Sequence, residues 1–222
     1  MTTTDRVLLG LGVLIPAWLF FGVLTTALAY PGYSHLDQAM SQLGAVGAPT
    51  RHWSPWVNNY PLGALFALFA AGVARRFAGS KLAAFSALLI LIHGLGSIAT
   101  GYFPCDEHCS PAQPSPSQQL HNLAGLVMFL SLTLASAVWA YLGKRLLGTG
   151  FSLFSALCVV LSVATVALMA GAMQEGHSFG LYQRLNYGIS VIWCAALAVM
   201  ALRAGANSTA GRVLPQSKPL QG

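Results

Sequence analysis

Six long apolar stretches separated by short polar ones dominate the chain. They cover residues 7–29, 58–78, 82–103, 119–142, 151–173 and 184–202. At about 1.5 Å of rise per residue, each crosses a hydrocarbon layer of about 30 Å as a helix. None alternates apolar and polar positions, so helices rather than barrel strands are expected. The pattern predicts an all-α fold, a polytopic six-transmembrane-helix bundle forming a single membrane domain over residues 1–204. The segment 205–222 is rich in Gly, Ser, Pro and Gln and is expected to be a disordered cytoplasmic tail.

Charge fixes the expected orientation. Arg6, Arg75, Arg76, Lys81, Lys144, Arg145, Arg203, Arg212 and Lys218 fall on one side of such a bundle, and only Arg51 and Arg184 on the other. The excess of Lys and Arg marks the cytoplasmic side, so both termini are expected inside. His35, His52, His108, His121 and His177, with Asp37, Asp106, Glu107 and Glu175, collect at the outer end, and His93 lies within a span. The expected location is a bacterial cytoplasmic (inner) membrane with the histidine-rich face outward.

Composition agrees. The chain is 55% hydrophobic and 7% charged, with a mean hydropathy of +0.64, where a soluble domain is about a quarter charged. The net charge of +6 does not suggest nucleic acid, because the basic residues stand singly or in pairs beside apolar runs. Membrane lipids are the expected surroundings. Residues 27–30 resemble a signal-peptide cleavage site. The apolar run before them exceeds the usual 7–15 residues, so an uncleaved first span is expected.

In the first outer loop, Ser34 and Asp37 resemble a capping box, and Leu36, Met40 and Leu43 recur at helical spacing. A short amphipathic helix, at the interface or folded into the bundle, is expected there. Trp53, Trp56 and Tyr60 suit the headgroup level, and Asn58, Asn59 and Pro61 suit the start of the second span. In the second outer loop, Cys105 and Cys109 stand four apart beside Asp106 and His108. A disulfide closing a tight loop is the favoured reading in an oxidising compartment, and a metal site is the sharper alternative. Ser117 is a candidate N-cap of the fourth span. Cys158 and Cys194 read as packing residues within spans.

His93 lies about twelve residues, or about 18 Å, along the third span from Lys81. Ser86, Ser97 and Thr100 share its face, and Gly94 and Gly96 permit close helix approach. An ionisable group at this depth is a functional candidate; the alternative is a neutral imidazole bonded to a neighbouring hydroxyl. Asn186 and Ser190 share a face of the sixth span below Arg184. An inward Arg184 requires an anion: Asp37, Asp106, Glu175, or a ligand phosphate or carboxylate.

Ser41-Gln-Leu-Gly44, Phe103-Pro-Cys-Asp106 with Cys109, His121, and Gly180-Leu-Tyr-Gln-Arg184 together resemble domain-of-unknown-function family 998, a group of six-span bacterial and archaeal membrane proteins. The resemblance covers most of residues 5–203. In the first of these motifs Gln42 stands where the family usually carries an acid. A similar Ser-Asp-x-Gly element in eukaryotic six-span proteins linked to lipid remodelling adds an analogy to lipids. The resemblance implies the fold and no particular activity.

Three functions compete at this level. The preferred one is an outward polar pocket, with Arg184, His121, His93, Asn186, Glu175 and His177 as ligand-binding candidates, that binds or transports an anionic lipid headgroup or small metabolite. The second is an intramembrane lipid hydrolase or transferase, with His93, His121 and Asp106 as catalytic candidates. Its metal form would use zinc on His93, His121, His177 or Asp106, and Asp37 or Glu175 could also contribute. No metal is favoured. This architecture resembles that of alkaline ceramidases but lacks their paired His-x-x-x-His on the final span. The third is a membrane scaffold without chemistry.

Overall fold

A computed structural model describes residues 1–210. It contains α1 (Thr3–Leu28), α2 (Ser54–Val57), α3 (Asn59–Arg76), α4 (Lys81–Tyr102), α5 (Pro116–Leu146), α6 (Thr149–Glu175) and α7 (Phe179–Ala210). Six helical segments are long and apolar enough to cross a membrane, with α2 and α3 joined as one of them. The fold is therefore the expected all-α six-span bundle. The last helix runs to Ala210, into the segment expected as tail, and residues 211–222 lie outside the described residues.

The helices form a ring. Each long helix packs on the next in sequence, and α7 returns to α1. Small residues permit several of these approaches. A Cβ on Gly94 of α4 would lie 2.8 Å from the Gly63 carbonyl of α3, and one on Gly12 of α1 would lie 2.6 Å from Phe69 and 2.9 Å from Ala198. Such seams let helices gain dispersion and hydrogen-bond energy where lipid supplies no hydrophobic drive.

Arg6, Arg75, Arg76, Lys81, Lys144, Arg145 and Arg203 gather at one end of the ring, called here the basic end. Arg75 pairs with Asp5 at 2.8 Å, and Arg76 Nε donates to the Ala201 carbonyl. These contacts tie α3 to the starting turn of α1 and the later part of α7. At the opposite, histidine end the loops 29–53, 103–115 and 176–178 meet.

The basic half is solidly filled. Phe66, Phe69, Ile90, Leu132, Trp139, Trp193 and Leu197 are buried in one cluster. The two indole N–H groups have partners on adjacent helices: Trp139 Nε1 donates to Ser86 Oγ at 2.9 Å and Trp193 Nε1 to Ser155 Oγ at 3.1 Å. An indole can be buried this deeply only if its polar atom is satisfied.

Among the helix starts that differ from the sequence expectation, such as that of α7 at Phe179 instead of 184, two have a local cause. The second span begins at Ser54, and its helix breaks at Asn58. Pro61 has no N–H to give the Val57 carbonyl four residues back. Trp18 Nε1 from α1 donates to that carbonyl instead, at 2.8 Å. The fourth span is capped by Ser115, not Ser117: Ser115 Oγ accepts from Gln118 N, and Pro116 fills the first helical position, where no N–H is needed. Ser117 Oγ instead donates to the Pro104 carbonyl.

The first loop of the histidine end holds a capped turn and a 3₁₀ helix, Met40–Gly44, rather than one amphipathic α-helix. The Ser34–Asp37 element is present: Asp37 N donates to Ser34 Oγ, and that hydroxyl donates to the Asp37 carboxylate. The helix does not propagate because the next carbonyls have other donors. Those of Leu36 and Asp37 accept from Leu181 and Gly180 of α7, that of Gln38 accepts from Arg184, and that of Ala39 accepts from the Tyr33 hydroxyl.

Candidate functional site

The first loop lies over the end of α7 and supplies what a helix start lacks. The first-turn N–H groups of an α-helix have no partner within it. Here Gly180 N donates to the Asp37 carbonyl at 3.3 Å and Leu181 N to the Leu36 carbonyl at 2.8 Å. Just before the helix, Ser178 N donates to Asp37 Oδ1 at 3.0 Å. A carboxylate at a helix N-terminus also meets the positive end of the dipole. The Ser178 amide, then the Ser34 hydroxyl, hold the Asp37 carboxyl below its ordinary value of 3.8.

Gly180 is required for this contact, since a Cβ there would strike the Gln38 carbonyl and lie 2.8 Å from both the His35 carbonyl and Arg184 Nη1. Gln183 Oε1 accepts from Met40 N at 2.7 Å. Arg184 donates to the carbonyls of Gln38 (3.0 Å) and Gly180 (2.9 Å) and to the Tyr33 hydroxyl (2.6 Å), and lies over the Tyr33 ring. Its charge faces main-chain oxygen and a phenol, not a carboxylate.

The second loop is joined to the first by Val46 N donating to the Cys105 carbonyl and Gln42 Nε2 donating to the His108 carbonyl. Cys105 and Cys109 form the expected disulfide, with Cα atoms 5.0 Å apart. Asp106 accepts from the Ser115 hydroxyl at 2.6 Å and the Ser115 amide at 2.9 Å. Those bonds hold its carboxyl below 3.8. Together the two loops make a cap, with Leu43 buried beneath it against Val23 and Ala27.

Under the cap is a cavity of about 880 Å³ lined by residues from all six spans. Three helices turn a polar stripe of helical period toward it. On α4 these are His93, Ser97 and Thr100; on α5, Gln118, His121 and Asn122; on α7, Gln183, Asn186, Tyr187 and Ser190. Spacings of three and four residues put such positions on one face. The cavity reaches the surface between the two loops, where His108, Ser110 and Pro114 line it and are exposed. The buried aromatic cluster lies on the basic side of it.

His93 is buried and uses both ring nitrogens. Nδ1 lies 2.9 Å from the Met128 carbonyl and Nε2 lies 3.1 Å from the Tyr187 hydroxyl. A carbonyl only accepts, so Nδ1 carries the proton, and in the neutral ring Nε2 accepts from Tyr187. The imidazole thus joins α4 to α5 and α7, and Phe66 packs on it with ring centroids 4.3 Å apart. His121 differs. Its Nδ1 donates to the Phe103 carbonyl at 2.8 Å, the Thr100 backbone is a further partner of the ring, and the residue lines the cavity. Asn186 Nδ2 donates to the Ser162 carbonyl and Thr165 Oγ1, both at 2.9 Å, which fastens α7 to α6.

Of the residues singled out from the sequence, Asp37, His93, His121 and Asn186 line the cavity; Asp106, Glu175, His177 and Arg184 do not. Glu175 and His177 lie 3.5 Å apart and are exposed. Among the described residues no three His, Cys, Asp or Glu side chains group as a metal site would require. Tyr187, Gln183, Gln118 and Asn122 were not singled out, although the recurrence of polar residues at helical spacing on α5 and α7 was a usable signal.

The structure defines a class: a six-span α-helical membrane protein, hollow and polar at one end, filled at the other, with a disulfide-containing cap over the hollow. Within that class the chain belongs to the family described as "Protein of unknown function (DUF998)", whose profile matches residues 13–200. No curated protein and no solved structure matches the chain.

Proposed function

We propose that this protein binds a small amphipathic molecule in the capped cavity, taking its uncharged polar group from the outer face of a bacterial cytoplasmic membrane. The observation that carries the reading is the lining itself. Its three polar stripes supply amide, hydroxyl and imidazole groups, while Arg184 is turned away to the cap. These neutral donors and acceptors, in a lining that holds the Asp37 carboxylate and no Lys or Arg, suit a hydroxyl, ester or amide group better than a phosphate or carboxylate, which would call for a guanidinium or ammonium. The volume falls in the range of about 300–1,000 Å³ common to small-molecule sites. The reading therefore keeps the expected outward pocket and exchanges its anionic ligand for a neutral one.

A second reading rests on His121. An imidazole held by backbone at the wall of a cavity is placed as a general base would be. In that case the bound molecule is a substrate, with His121 removing a proton from a hydroxyl or water.

Native mass spectrometry of the protein released from membranes tests the binding. The wild type is expected to retain a bound molecule that fragments as a hydroxyl- or amide-bearing amphiphile, and His121→Leu combined with Asn186→Leu is expected to lose it. Equal retention by a double variant that elutes as the wild type does would contradict the reading.

A further inference from the structure

The cavity is closed on most sides by helix seams but has a second opening, in its wall. Around the ring, α1 and α3 are joined beside it by Trp18 and the Val57 carbonyl, and α3 and α4 by Asn59 with Thr100 and Ser97 with the Asn59 carbonyl. The α4–α5 seam is held by His93 and His121, and α6–α7 by Asn186. The first loop fills the angle between α1 and α7 with Tyr33, Met40 and Leu43.

The α5–α6 seam is different. These helices are joined tightly at the basic end, where the Ser152 hydroxyl donates to the Ala140 carbonyl, a Cβ on Gly143 would lie 3.2 Å from the Ser152 backbone, and Trp139 stacks edge-on with Phe151. Toward the histidine end, both helices contribute residues that line the cavity and also face outward. Leu126 is 53% exposed and Met173 is 64% exposed, yet both line the cavity. Gly125 lines it as well, and a Cβ there would meet nothing within 4 Å. Phe129, Val166 and Met169 complete an apolar slot. Gly125 lies nine residues from the start of α5 and Val166 nine from the end of α6. That is about 14 Å along each helix, the depth of the acyl chains in the leaflet at the histidine end.

A polar chamber continuous with an apolar slot that faces lipid has the polarity of one membrane lipid. We infer that the ligand is a lipid of that leaflet with an uncharged hydroxyl headgroup, entering sideways between α5 and α6. Its headgroup lies among the stripes of α4, α5 and α7, and its acyl chain stays in the slot formed by Gly125, Leu126, Phe129, Val166, Met169 and Met173. This rests on the binding reading above and names the ligand class. A soluble metabolite would enter only through the gap between the two loops and would have no use for the slot.

The test uses the full chain in phosphatidylcholine vesicles with a monoacylglycerol carrying a mid-chain diazirine. After photolysis, peptides spanning 125–129 and 166–173 are expected to carry at least fivefold more label than the lipid-facing stretch of α1 around Phe20 and Phe21. Excess unlabelled monoacylglycerol, and separately Leu126→Trp or Gly125→Trp, should remove most of that excess. Leu126 is exposed enough for its variant to fold even if the glycine variant does not. Even labelling of α1 and the slot, unchanged by Leu126→Trp, would overturn the proposal. If slot labelling persists in the His121→Leu and Asn186→Leu double variant, the entry route stands and the headgroup assignment fails. If that double variant loses the native adduct while the slot stays unlabelled, the chamber stands and the lateral route fails.

Discussion

A guanidinium in a chain with 7% charged residues needs acceptors, and Arg184 takes them from the first loop and from its own helix. Its hydrogen bonds to Gln38, Gly180 and Tyr33 make it a fastener of the cap. Bonds from a charged donor contribute about 1.5–3 kcal/mol, so Arg184→Ala is expected to lower unfolding stability by about 2 kcal/mol. The same variant should keep the bound molecule in native mass spectrometry, because Arg184 does not line the cavity; loss of the molecule with the fold intact would restore an anionic ligand. Gly180→Ala is expected to cost about 1–3 kcal/mol through overpacking against the first loop, seen as faster proteolysis at residues 34–44. Trp139→Phe leaves Ser86 without its donor and should cost about 1 kcal/mol, read from thermal unfolding in detergent.

At the scale of elements, the cap explains why polar motifs recur in loops of an otherwise apolar chain. Ser41-Gln-Leu-Gly44, Phe103-Pro-Cys-Asp106 and Gly180-Leu-Tyr-Gln-Arg184 all supply bonds within it. Their presence was legible in the sequence, but their mutual contacts were not, because they join loops far apart in the chain. Five spans were legible to within about four residues, since twenty apolar positions in a row leave little choice; the sixth, expected at 184–202, runs from Phe179 to Ala210. Their starts were less so: Pro61 and Ser115 act through single hydrogen bonds that composition does not reveal. Asp37 and Asp106 give the cap a pH dependence. Both carboxyls titrate below 3.8 in the folded protein, so each contributes stability that is complete above the unfolded value. That contribution is lost as pH falls through the folded value. Thermal unfolding of the wild type should therefore weaken below about pH 4, and Asp106→Asn should be less stable at pH 6 with the difference shrinking by pH 3. A constant difference across that range would contradict the role given to Asp106. Replacing both Cys105 and Cys109 by Ser opens a very short loop and is expected to cost about 2 kcal/mol.

At the scale of the whole molecule, the ring is filled at the basic end and hollow at the histidine end. The polar residues of the spans were legible, and His93, Asn186 and Ser190 were visible as such in the sequence. The cavity itself was not, because empty space is a property of how six helices diverge and not of any one of them. Which way Arg184 turned was undecidable for the same reason: the acceptors that draw it to the cap, the Gln38 carbonyl and the Tyr33 hydroxyl, stand 146 and 151 residues away. The two ends thus differ in kind, a solvent-connected chamber above an impermeable plug. Thiol accessibility measures it directly. In a background with Cys158→Ala and Cys194→Ala, single variants Ser190→Cys and Leu197→Cys would be exposed to a membrane-impermeant methanethiosulfonate applied from either side. Ser190→Cys is expected to be modified only from the histidine end and Leu197→Cys, buried in the plug, from neither. Modification of Leu197→Cys at a comparable rate, or of Ser190→Cys from the basic end, would contradict that difference.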